Sequence, residues 1–505
     1  MIKQHLAMAV AAIALVGPTA YGQTIESSET TLPTLSTENA SYGTRMSING
    51  DWLAIGADHE VVPNSGEGEV YLYKKNNVGW VLQQLIKAPD GFVNNHFGLP
   101  VVVGQRRMMI GAPLDTEAGP NSGAVYVYRL NQSEWVFEQK IVSPTANHGA
   151  LFGLSCCFGT TEEEIIVGAF FESLTNYTSG GAYVYRRTGT DWSFIQKLSA
   201  PGAPVAAYFG RSVAVSGQNL IIGASGYRTA SDQSAQGAAM LYQRDEEEWV
   251  WTLKDLILSP SPQYYQAFGE WIDITDTTVA ICSPGFTGEV GVGLVNTFSI
   301  EPEGTLQHLQ RIDPPNVGCK SFGFPCIFSP SGNRLMLGAY RSTFEIHQEG
   351  AAYIYQAGES GWDRPVSLIP PITGENNFFG LSGAFTESES EIFVSSPRCD
   401  LEEINAGVVF RFELRDCTEN GQLDAWDIAS GLESDTNEDG IPDSCQGKDC
   451  PGDFNGDGLV NGSDMGLLLS VFGSTDPPEG TDLNNDGLIN GADLGLLFSA
   501  WGSCS

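Results

Sequence analysis

Short stretches of alternating apolar and polar residues, separated by glycine-rich turns, fill most of the chain between residues 40 and 414. An aromatic residue followed by glycine recurs seven times, and the steps between successive glycines are 55, 55, 57, 59, 54 and 57 residues. The seven pairs are Tyr42-Gly43, Phe97-Gly98, Phe152-Gly153, Phe209-Gly210, Phe268-Gly269, Phe322-Gly323 and Phe379-Gly380. This period of about 56 residues is the length of one repeated structural unit.

Each repeat carries further elements in the same order. A short apolar run ends in a small-residue turn, as in Ile110-Gly111-Ala112, and a glycine then precedes alternating aromatic residues, as in Gly123 to Tyr128. A tryptophan follows in five repeats: Trp80, Trp135, Trp192, Trp249 and Trp362. The pattern predicts about four short strands per repeat. Seven four-stranded units favour a seven-bladed all-β propeller over the alternative, a long array of β-sandwiches.

These repeats resemble the FG-GAP repeats of integrin α-like and bacterial secreted propellers, over about residues 24–415. The resemblance implies a propeller domain at 23–415. We expect the segment from Thr30 to Leu35 to close the ring by completing the last blade. Integrin-type repeats often carry an Asp-x-Asp-x-Asp-Gly calcium loop, but the segments at 58–65 and 113–117 lack that pattern. No calcium site is therefore expected in the blades.

The N-terminus predicts a secretory signal at residues 1–22. Lys3 precedes an apolar run from Leu6 to Val16, which is too short to span a bilayer, and small residues follow before Gln23. We therefore expect a secreted, extracellular or cell-surface protein with no membrane span after signal removal. Ten cysteines in an exported chain indicate disulfides. Proximity in sequence favours Cys417 with Cys445, Cys450 with Cys504, and Cys319 with Cys326, although sequence alone cannot fix the pairing.

The formal net charge of -36, from 61 acidic and 25 basic residues, argues against nucleic-acid binding. This charge is unevenly distributed along the chain. The last 90 residues hold 18 acidic residues and one basic residue, Lys448. Their regular spacing favours ligand sets over a merely solvated acidic tail.

Two loops, 29 residues apart, have oxygen donors at the positions that a Ca²⁺ ion requires, with glycine at the sharp turn. The predicted ligands are Asp453, Asn455, Asp457, Leu459 (through its carbonyl), Asn461 and Asp464 in the first loop, and Asp482, Asn484, Asp486, Leu488, Asn490 and Asp493 in the second. A helix is predicted after each loop. Leu467, Leu468, Val471 and Phe472 fall on one face of the first helix, and Leu496, Leu497, Ala500 and Trp501 fall on one face of the second.

The paired loops resemble a type I dockerin, an EF-hand-type calcium-binding module, over residues 450–505. The resemblance implies a small α-helical calcium domain that docks onto a cohesin-like or other extracellular protein. Two departures are visible. Loop positions ten and eleven are Gly462-Ser463 and Gly491-Ala492, and the helices lack the basic residues that usually follow the loop.

Residues 416–449 form a cysteine-bracketed acidic connector, similar to a thrombospondin type 3 repeat. It contains a weaker calcium loop with Asp416, Thr418, Asn420, Asp424 and Asp427. A second, partial loop has Asp435, Asn437, Asp439 and Asp443. A disulfide from Cys417 to Cys445 would make this segment a stiff spacer.

No histidine metal motif, nucleophile elbow or phosphate-binding loop occurs in the chain, so no catalytic residue is predicted. We expect a binding protein whose propeller recognises a glycan or protein and whose tail attaches it to a partner. The alternative is a polysaccharide-degrading hydrolase or lyase, with a carboxylate pair assembled from the propeller loops. A third hypothesis, integrin-like adhesion, is weakened by the absence of calcium loops in the blades.

Overall fold

The computed structural model describes residues 24–503 apart from several internal segments. The segments outside the description are 27–39, 59–67, 78, 92–93, 146–147, 174–177, 203–204, 230–235, 246–247, 262–265, 286–291, 317, 344–347, 359–360, 373, 401–405, 419, 437–439, 446–451, 456–458, 475–480 and 485–487. The predicted signal peptide at 1–22 and the predicted closing segment Thr30 to Leu35 fall outside the described residues.

Seven antiparallel sheets follow one another along the chain, as the repeat predicts. The first strand is β1 (Thr24–Glu26). Blade one contains β2 (Tyr42–Asn49), β3 (Trp52–Ala57), β4 (Glu69–Asn76) and β5 (Gly79–Lys87), and blade two contains β6 (Val101–Val103), β7 (Arg107–Ala112), β8 (Ala124–Asn131) and β9 (Glu134–Val142). Blade three contains β10 (Ser155–Phe158), β11 (Glu164–Ala169), β12 (Gly181–Thr188) and β13 (Asp191–Leu198), and blade four contains β14 (Phe209–Ser216), β15 (Asn219–Ala224), β16 (Ala238–Arg244) and β17 (Trp251–Leu258).

The last three blades contain β18 (Trp271–Ile274), β19 (Thr278–Ser283), β20 (Leu294–Ile300) and β21 (Leu306–Ile312); β22 (Cys326–Phe328), β23 (Arg334–Gly338), β24 (Ala352–Gly358) and β25 (Gly361–Ile369); and β26 (Gly383–Phe385), β27 (Glu391–Ser396) and β28 (Val408–Glu413). The protein is thus a seven-bladed β-propeller with helices near its C-terminus.

The repeated glycines are required because neighbouring blades touch through their backbones. A Cβ atom on Gly111 would lie 2.3 Å from the carbonyl oxygen of Gly153 in the next blade. A Cβ atom on Gly123, where φ is +86°, would lie 2.0 Å from the carbonyl oxygen of Phe152. Any larger residue would push the blades apart. The aromatic side chain of each aromatic-Gly pair is buried between the blades.

The N-terminal strand β1 joins blade six and does not complete blade seven. Blade one packs directly on blade seven, where the Met46 amide donates to the Ser382 hydroxyl at 3.1 Å. The N-terminal β1 pairs in parallel with β25 and so extends blade six to five strands. Blade seven has three strands in the described part of the chain.

Glutamine side chains clip the outer strands of neighbouring blades together. Gln84 bonds both the amide and the carbonyl of Trp135, and Gln196 does the same with Trp251. The residue equivalent to the other blade tryptophans is therefore Trp251, which is buried, and the prediction of Trp249 for this position was wrong. Trp249 lies at the surface beneath the guanidinium groups of Arg186 and Arg244.

The C-terminal region contains three helices, α1 (Asp424–Ser430), α2 (Gly462–Ser470) and α3 (Gly491–Ser499), and two short strands, β29 (Leu459–Val460) and β30 (Gly502–Ser503). Helix α1 is not part of a free spacer. Leu423, Ala425 and Trp426 are buried in the same apolar cluster as Phe410 and Phe412 of blade seven. The connector therefore begins as part of the propeller core.

The last two helices enclose a small core of their own, formed by Val460, Leu468, Ile489 and Leu497. The predicted helix faces were partly wrong, because Leu467, Phe472, Leu496 and Trp501 are exposed. Within the described residues, no helix is long and apolar enough to cross a membrane.

Candidate functional site: the channel mouth and the acidic loops

A central channel of about 480 Å³ runs between the innermost strands of all seven blades. These strands start just after the aromatic-Gly pairs, and the side chains around that end form a continuous set of contacts. We call this set the channel mouth; its residues are Arg45, Arg211, Trp271, Phe324, Tyr340 and Phe378.

Arg45 occupies the centre of this arrangement. Its guanidinium carbon lies 4.9 Å from the ring centroid of Trp271 and 5.8 Å from that of Phe324. Its Nη1 donates to the carbonyl of Thr44 at 2.7 Å. Burial, reinforced by the neighbouring Arg211, lowers the pKa of Arg45 to about 10. The guanidinium is therefore charged at neutral pH in a site that disfavours positive charge.

The acidic groups closest to Arg45 bind other partners. The Arg211 Nε donates to Oε1 of the buried Glu270 at 2.7 Å. Asp58 accepts a hydrogen bond from Thr44 at 2.8 Å and lies 3.0 Å from the Nδ1 atom of His96. Glu270 is thus paired with Arg211, and Asp58 is bonded to Thr44 and lies against His96.

Aromatic rings continue outward from Arg45 in edge-to-face contacts. Trp271 and Phe324 have centroids 5.0 Å apart, Phe324 and Tyr340 5.4 Å, and Tyr340 and Phe378 5.6 Å. The guanidinium of Arg341 lies 5.3 Å from the Tyr340 ring. Amphipathic rings beside cations are the usual lining of a ligand site.

Backbone strain is concentrated around this mouth. The residue before each aromatic-Gly pair has a positive φ between 52° and 56° or, at Phe378, 58°, although none of the seven is glycine. The seven residues are Ser41, His96, Leu151, Tyr208, Ala267, Ser321 and Phe378. Left-handed non-glycine residues cluster at functional sites, where the surrounding structure holds them in place.

The sequence analysis did not single out the mouth residues. A signal was nevertheless present, because the innermost strands align on their aromatic-Gly pairs. The position two residues after each glycine holds proline or serine in five repeats, but Arg45 in the first and Trp271 in the fifth. These two departures face each other across the channel.

The predicted calcium ligands of the tail are partly described. Asp453, Asn455, Leu459, Asn461 and Asp464 in the first loop and Asp482, Asn484, Leu488, Asn490 and Asp493 in the second are described, whereas Asp457 and Asp486 lie outside the described residues. The two loops have matching geometry, since Asn461 and Asn490 each cap the following helix in a capping box.

The carboxylate of the last acidic residue in each loop faces the backbone amides of that same loop. Asp464 accepts hydrogen bonds from the amides of Phe454 and Asn461 at 2.8 and 2.9 Å and is fully buried. Asp493 accepts in the same way from Leu483 and Asn490 at 3.0 and 2.8 Å. Burial opposes ionisation of Asp493, but these backbone amides hold its pKa below the ordinary value. In each loop, a buried carboxylate beside several other oxygen donors fits a Ca²⁺ ion.

The first connector loop gathers four of its five predicted ligands. Thr418 and Asn420 donate to Oδ2 of Asp427 at 3.1 and 2.9 Å, and Thr418 also donates to Asp416 at 3.4 Å. The remaining ligand, Asp424, turns away and accepts from the Cys417 amide at 2.8 Å. Because Asp427 is fully buried and its Oδ1 atom has no hydrogen-bond partner, the loop also fits a cation.

The partial loop is less complete. Asp435 accepts a hydrogen bond from the Gly440 amide at 2.9 Å, and Asp443 accepts one from the Thr436 amide at 2.9 Å and one from its hydroxyl at 2.6 Å. The bonds from Thr436 lower the pKa of Asp443. The other two predicted ligands, Asn437 and Asp439, are outside the described residues.

The cysteine predictions had mixed outcomes. Cys417 and Cys445 form the predicted disulfide. The pairing of Cys319 with Cys326 was wrong, since both are free thiols. Cys326 begins an innermost strand beside the carbonyl of Ala280, whereas Cys319 contacts the Tyr353 hydroxyl. Cys450 and Cys504 lie outside the described residues.

In blades two and three, lysines neutralise the acidic groups that follow the Gly-Ala turn. The Lys140 ammonium lies 2.8 Å from the buried Asp115 and 2.5 Å from Asp90, and Lys197 lies 2.9 Å from the buried Glu172. An ammonium group thus supplies positive charge where integrin-type repeats use a metal ion.

Comparisons with known proteins agree with this architecture. The family model described as FG-GAP repeat matches residues 80–128 and 192–242, and that described as Dockerin type I domain matches residues 451–499. The chain carries FG-GAP repeats and a type I dockerin domain. Type I dockerins typically bind calcium and occur in extracellular or cell-surface proteins. No curated protein matches the chain.

Solved structures show distant likeness only. A protein from Lactobacillus plantarum has 10% identity and a TM-score of 0.45, covering 67% of this chain and 86% of its own. A putative 6-phosphogluconolactonase from Bacteroides uniformis has 10% identity and a TM-score of 0.45, covering 67% and 88%. A periplasmic gluconolactonase from Pseudomonas aeruginosa has 14% identity and a TM-score of 0.44, covering 68% and 94%. These likenesses carry no argument about function.

Proposed function

We propose that this is a secreted binding protein with two attachment surfaces. The propeller binds a glycan at the channel mouth, and the dockerin domain attaches the protein to a cohesin-type extracellular partner. The observation that carries the first part is the mouth itself, where Arg45 and Trp271 line a channel of about 480 Å³ and Tyr340 continues the series of ring contacts beside them. Its size is that of a small-ligand site.

The tail supports the second part through its exposed apolar side chains. Leu467, Leu469 and Phe472 on and after α2 are 42–50% exposed, and Leu496, Phe498 and Trp501 on and after α3 are 42–52% exposed. Each residue of the first set is 29 positions from its equivalent in the second. Paired apolar surfaces on so small a domain are a protein-docking feature. Calcium would organise the loops that position these helices.

Glycan arrays with the full chain in calcium-containing buffer test the propeller function. Phe378→Ala removes an aromatic ring of the mouth and should reduce glycan capture. Phe194→Ala is the matched control, because it removes an exposed ring from the outer strand β13. Equal glycan capture by both variants, or capture of protein ligands alone, contradicts the glycan assignment.

A second candidate function, polysaccharide cleavage by a lyase, is favoured by the His96–Asp58 pair. The carboxylate lies 3.0 Å from Nδ1 of the ring, and Thr44, which also bonds Asp58, is next to Arg45. A histidine oriented by a carboxylate can act as a general base, and a guanidinium can neutralise a substrate acid group. The two groups thus supply parts of an elimination site.

Incubation with polysaccharides, followed by ultraviolet detection of unsaturated products, separates the two functions. Turnover by the wild-type chain that is lost in His96→Gln would establish the lyase. Binding without any turnover supports the binding protein. The same assay should include reducing-end detection, because new reducing ends without unsaturated products indicate hydrolysis.

A further inference from the structure

The geometry points to an anionic polysaccharide as the ligand of the channel mouth, with Arg45 meeting its carboxylate or sulfate groups. This inference rests on the proposed glycan-binding function and adds the chemical class of the glycan. Three features of the described residues support it: cations without carboxylate partners, nearby acids that bind other groups, and a separation of charge between the two ends of the channel.

Three arginines at this end of the propeller lack a carboxylate partner. Within the described part of the chain, no carboxylate lies within ion-pair distance of Arg45, Arg341 or Arg398, and each of the three stacks on an aromatic ring instead. Arg398 lies 4.8 Å from the ring of Phe378. Nine other arginines are ion-paired, Arg211 of the mouth among them: Arg107, Arg186, Arg187, Arg211, Arg244, Arg311, Arg334, Arg411 and Arg415.

The absence of a carboxylate partner at these three arginines is notable in a chain with more than twice as many acidic as basic residues, 61 against 25. Such a chain offers an abundant supply of carboxylates, so a partly enclosed guanidinium without one is available to an external anion. Its unused N–H groups form a fork that matches a carboxylate or sulfate group. Glu270 and Asp58 form no ion pair with Arg45, because they are bonded to Arg211 and to Thr44 and His96, and they act on it only through their charge.

Acidic groups lie at the opposite end of the channel. The turns that follow the innermost strands contain Asp51, Glu162, Asp276 and Glu389. Several cap backbone amides there, as Glu162 does for Arg106 at 2.9 Å. The turns at this end therefore carry mostly carboxylates with one guanidinium, that of Arg106, and they repel an anionic chain more than the guanidinium groups of the mouth do, although Asp58 and Glu270 also lie beside the mouth.

The aromatic rings define the rest of the ligand. Trp271, Tyr340 and Phe378 are partly exposed and extend in one direction from Arg45. Sugar rings can lie on such surfaces while acidic substituents meet the guanidinium groups of Arg45, Arg341 and Arg398. A polymer with several acidic groups can meet more than one of these guanidinium groups, whereas a small free anion meets one.

Isothermal titration calorimetry of the full chain, with calcium present, tests the inference using short oligosaccharides. The probes are a hexamer of galacturonic acid for the carboxylate class, a carrageenan hexamer for the sulfate class, and xylohexaose as the neutral control. Arg45→Gln should weaken binding of the anionic hexamer by at least about tenfold. The matched control, Arg311→Gln, removes an exposed arginine on β21 and should leave affinity unchanged.

Arg398→Gln, at an exposed position, provides a second test if Arg45→Gln fails to fold. Arg45→Lys should restore part of the affinity, because the charge remains while the fork is lost. Anionic binding that depends on Arg45 supports the inference, and the preferred hexamer identifies carboxylate or sulfate. Binding of xylohexaose with equal affinity by wild type and Arg45→Gln overturns the anionic class but leaves the glycan-binding function intact. No binding of any hexamer overturns both.

Discussion

Removing one indole ring tests whether the connector is part of the propeller. Trp426 is 3% exposed and lies in the cluster formed by blades six and seven. A buried tryptophan contributes about 150–250 Å² of apolar surface, which corresponds to about 4–6 kcal/mol at 25 cal/mol per Å². Measured losses for such truncations are about 3–5 kcal/mol. We therefore expect Trp426→Ala to lower the free energy of unfolding of the propeller by about 3 kcal/mol or more.

Thermal unfolding of the full chain, followed by near-ultraviolet circular dichroism, measures this effect. At roughly 2 °C per kcal/mol, a value suited to larger domains, the melting temperature of the propeller should fall by about 6 °C. Trp501→Ala is the control, since it removes the same ring from an exposed position in the tail. If both variants melt like the wild type, the connector is a loose spacer and the packing argument fails.

Three further outcomes follow from buried charge. Lys140→Met should destabilise the propeller by about 3–5 kcal/mol in chemical denaturation, because Asp115 would be buried without a cation. Asp273 has a pKa raised to about 6 by burial, so at this residue the folded state binds an extra proton between about pH 4 and 6, and the contribution of this residue to stability falls as pH rises through that range. Asp273→Asn should therefore remove this contribution to the pH dependence, as read from the denaturant midpoints of both proteins between pH 4 and 6. Asp464→Asn with Asp493→Asn should reduce calcium uptake by two ions per chain, measured by elemental analysis after dialysis.

Controls make these outcomes specific. Lys254→Met replaces an exposed lysine of β17 and should change stability by less than about 0.5 kcal/mol. If Lys254→Met lowers the stability as much as Lys140→Met does, the loss comes from the methionine side chain and not from the broken ion pair. For Asp273, a wild-type stability that rises more steeply than that of Asp273→Asn between pH 4 and 6 contradicts the sign argued here. A double variant that binds as many calcium ions as the wild type contradicts the assignment of the tail ligands.

The repeat could be predicted because its glycines are required by close backbone contacts between neighbouring blades. Wherever two blades touch, a Cβ atom on Gly111 or Gly123 would collide with the neighbouring backbone, so the sequence must repeat glycine at fixed intervals. The tail loops could be predicted for a similar reason, since calcium ligation constrains successive positions of a single loop.

The channel mouth could not be predicted in the same way. Arg45 and Trp271 lie in blades one and five and meet only because the ring brings their strands to one axis. The blade-four tryptophan was misassigned because Trp249 and Trp251 are two residues apart and Trp249 has the twelve-residue spacing from a glycine, Gly237, that the other four tryptophans show. The helix faces were partly wrong because three consecutive leucines, 467–469, leave the phase of the helix undetermined.

A crystal structure of the full chain with calcium and a galacturonic acid hexamer tests the central claim most directly. The account predicts sugar density in the channel mouth, with a carboxylate against the guanidinium of Arg45, and ions in the loops that contain Asp464 and Asp493. A hexamer bound elsewhere, together with metal-free loops in saturating calcium, would contradict it.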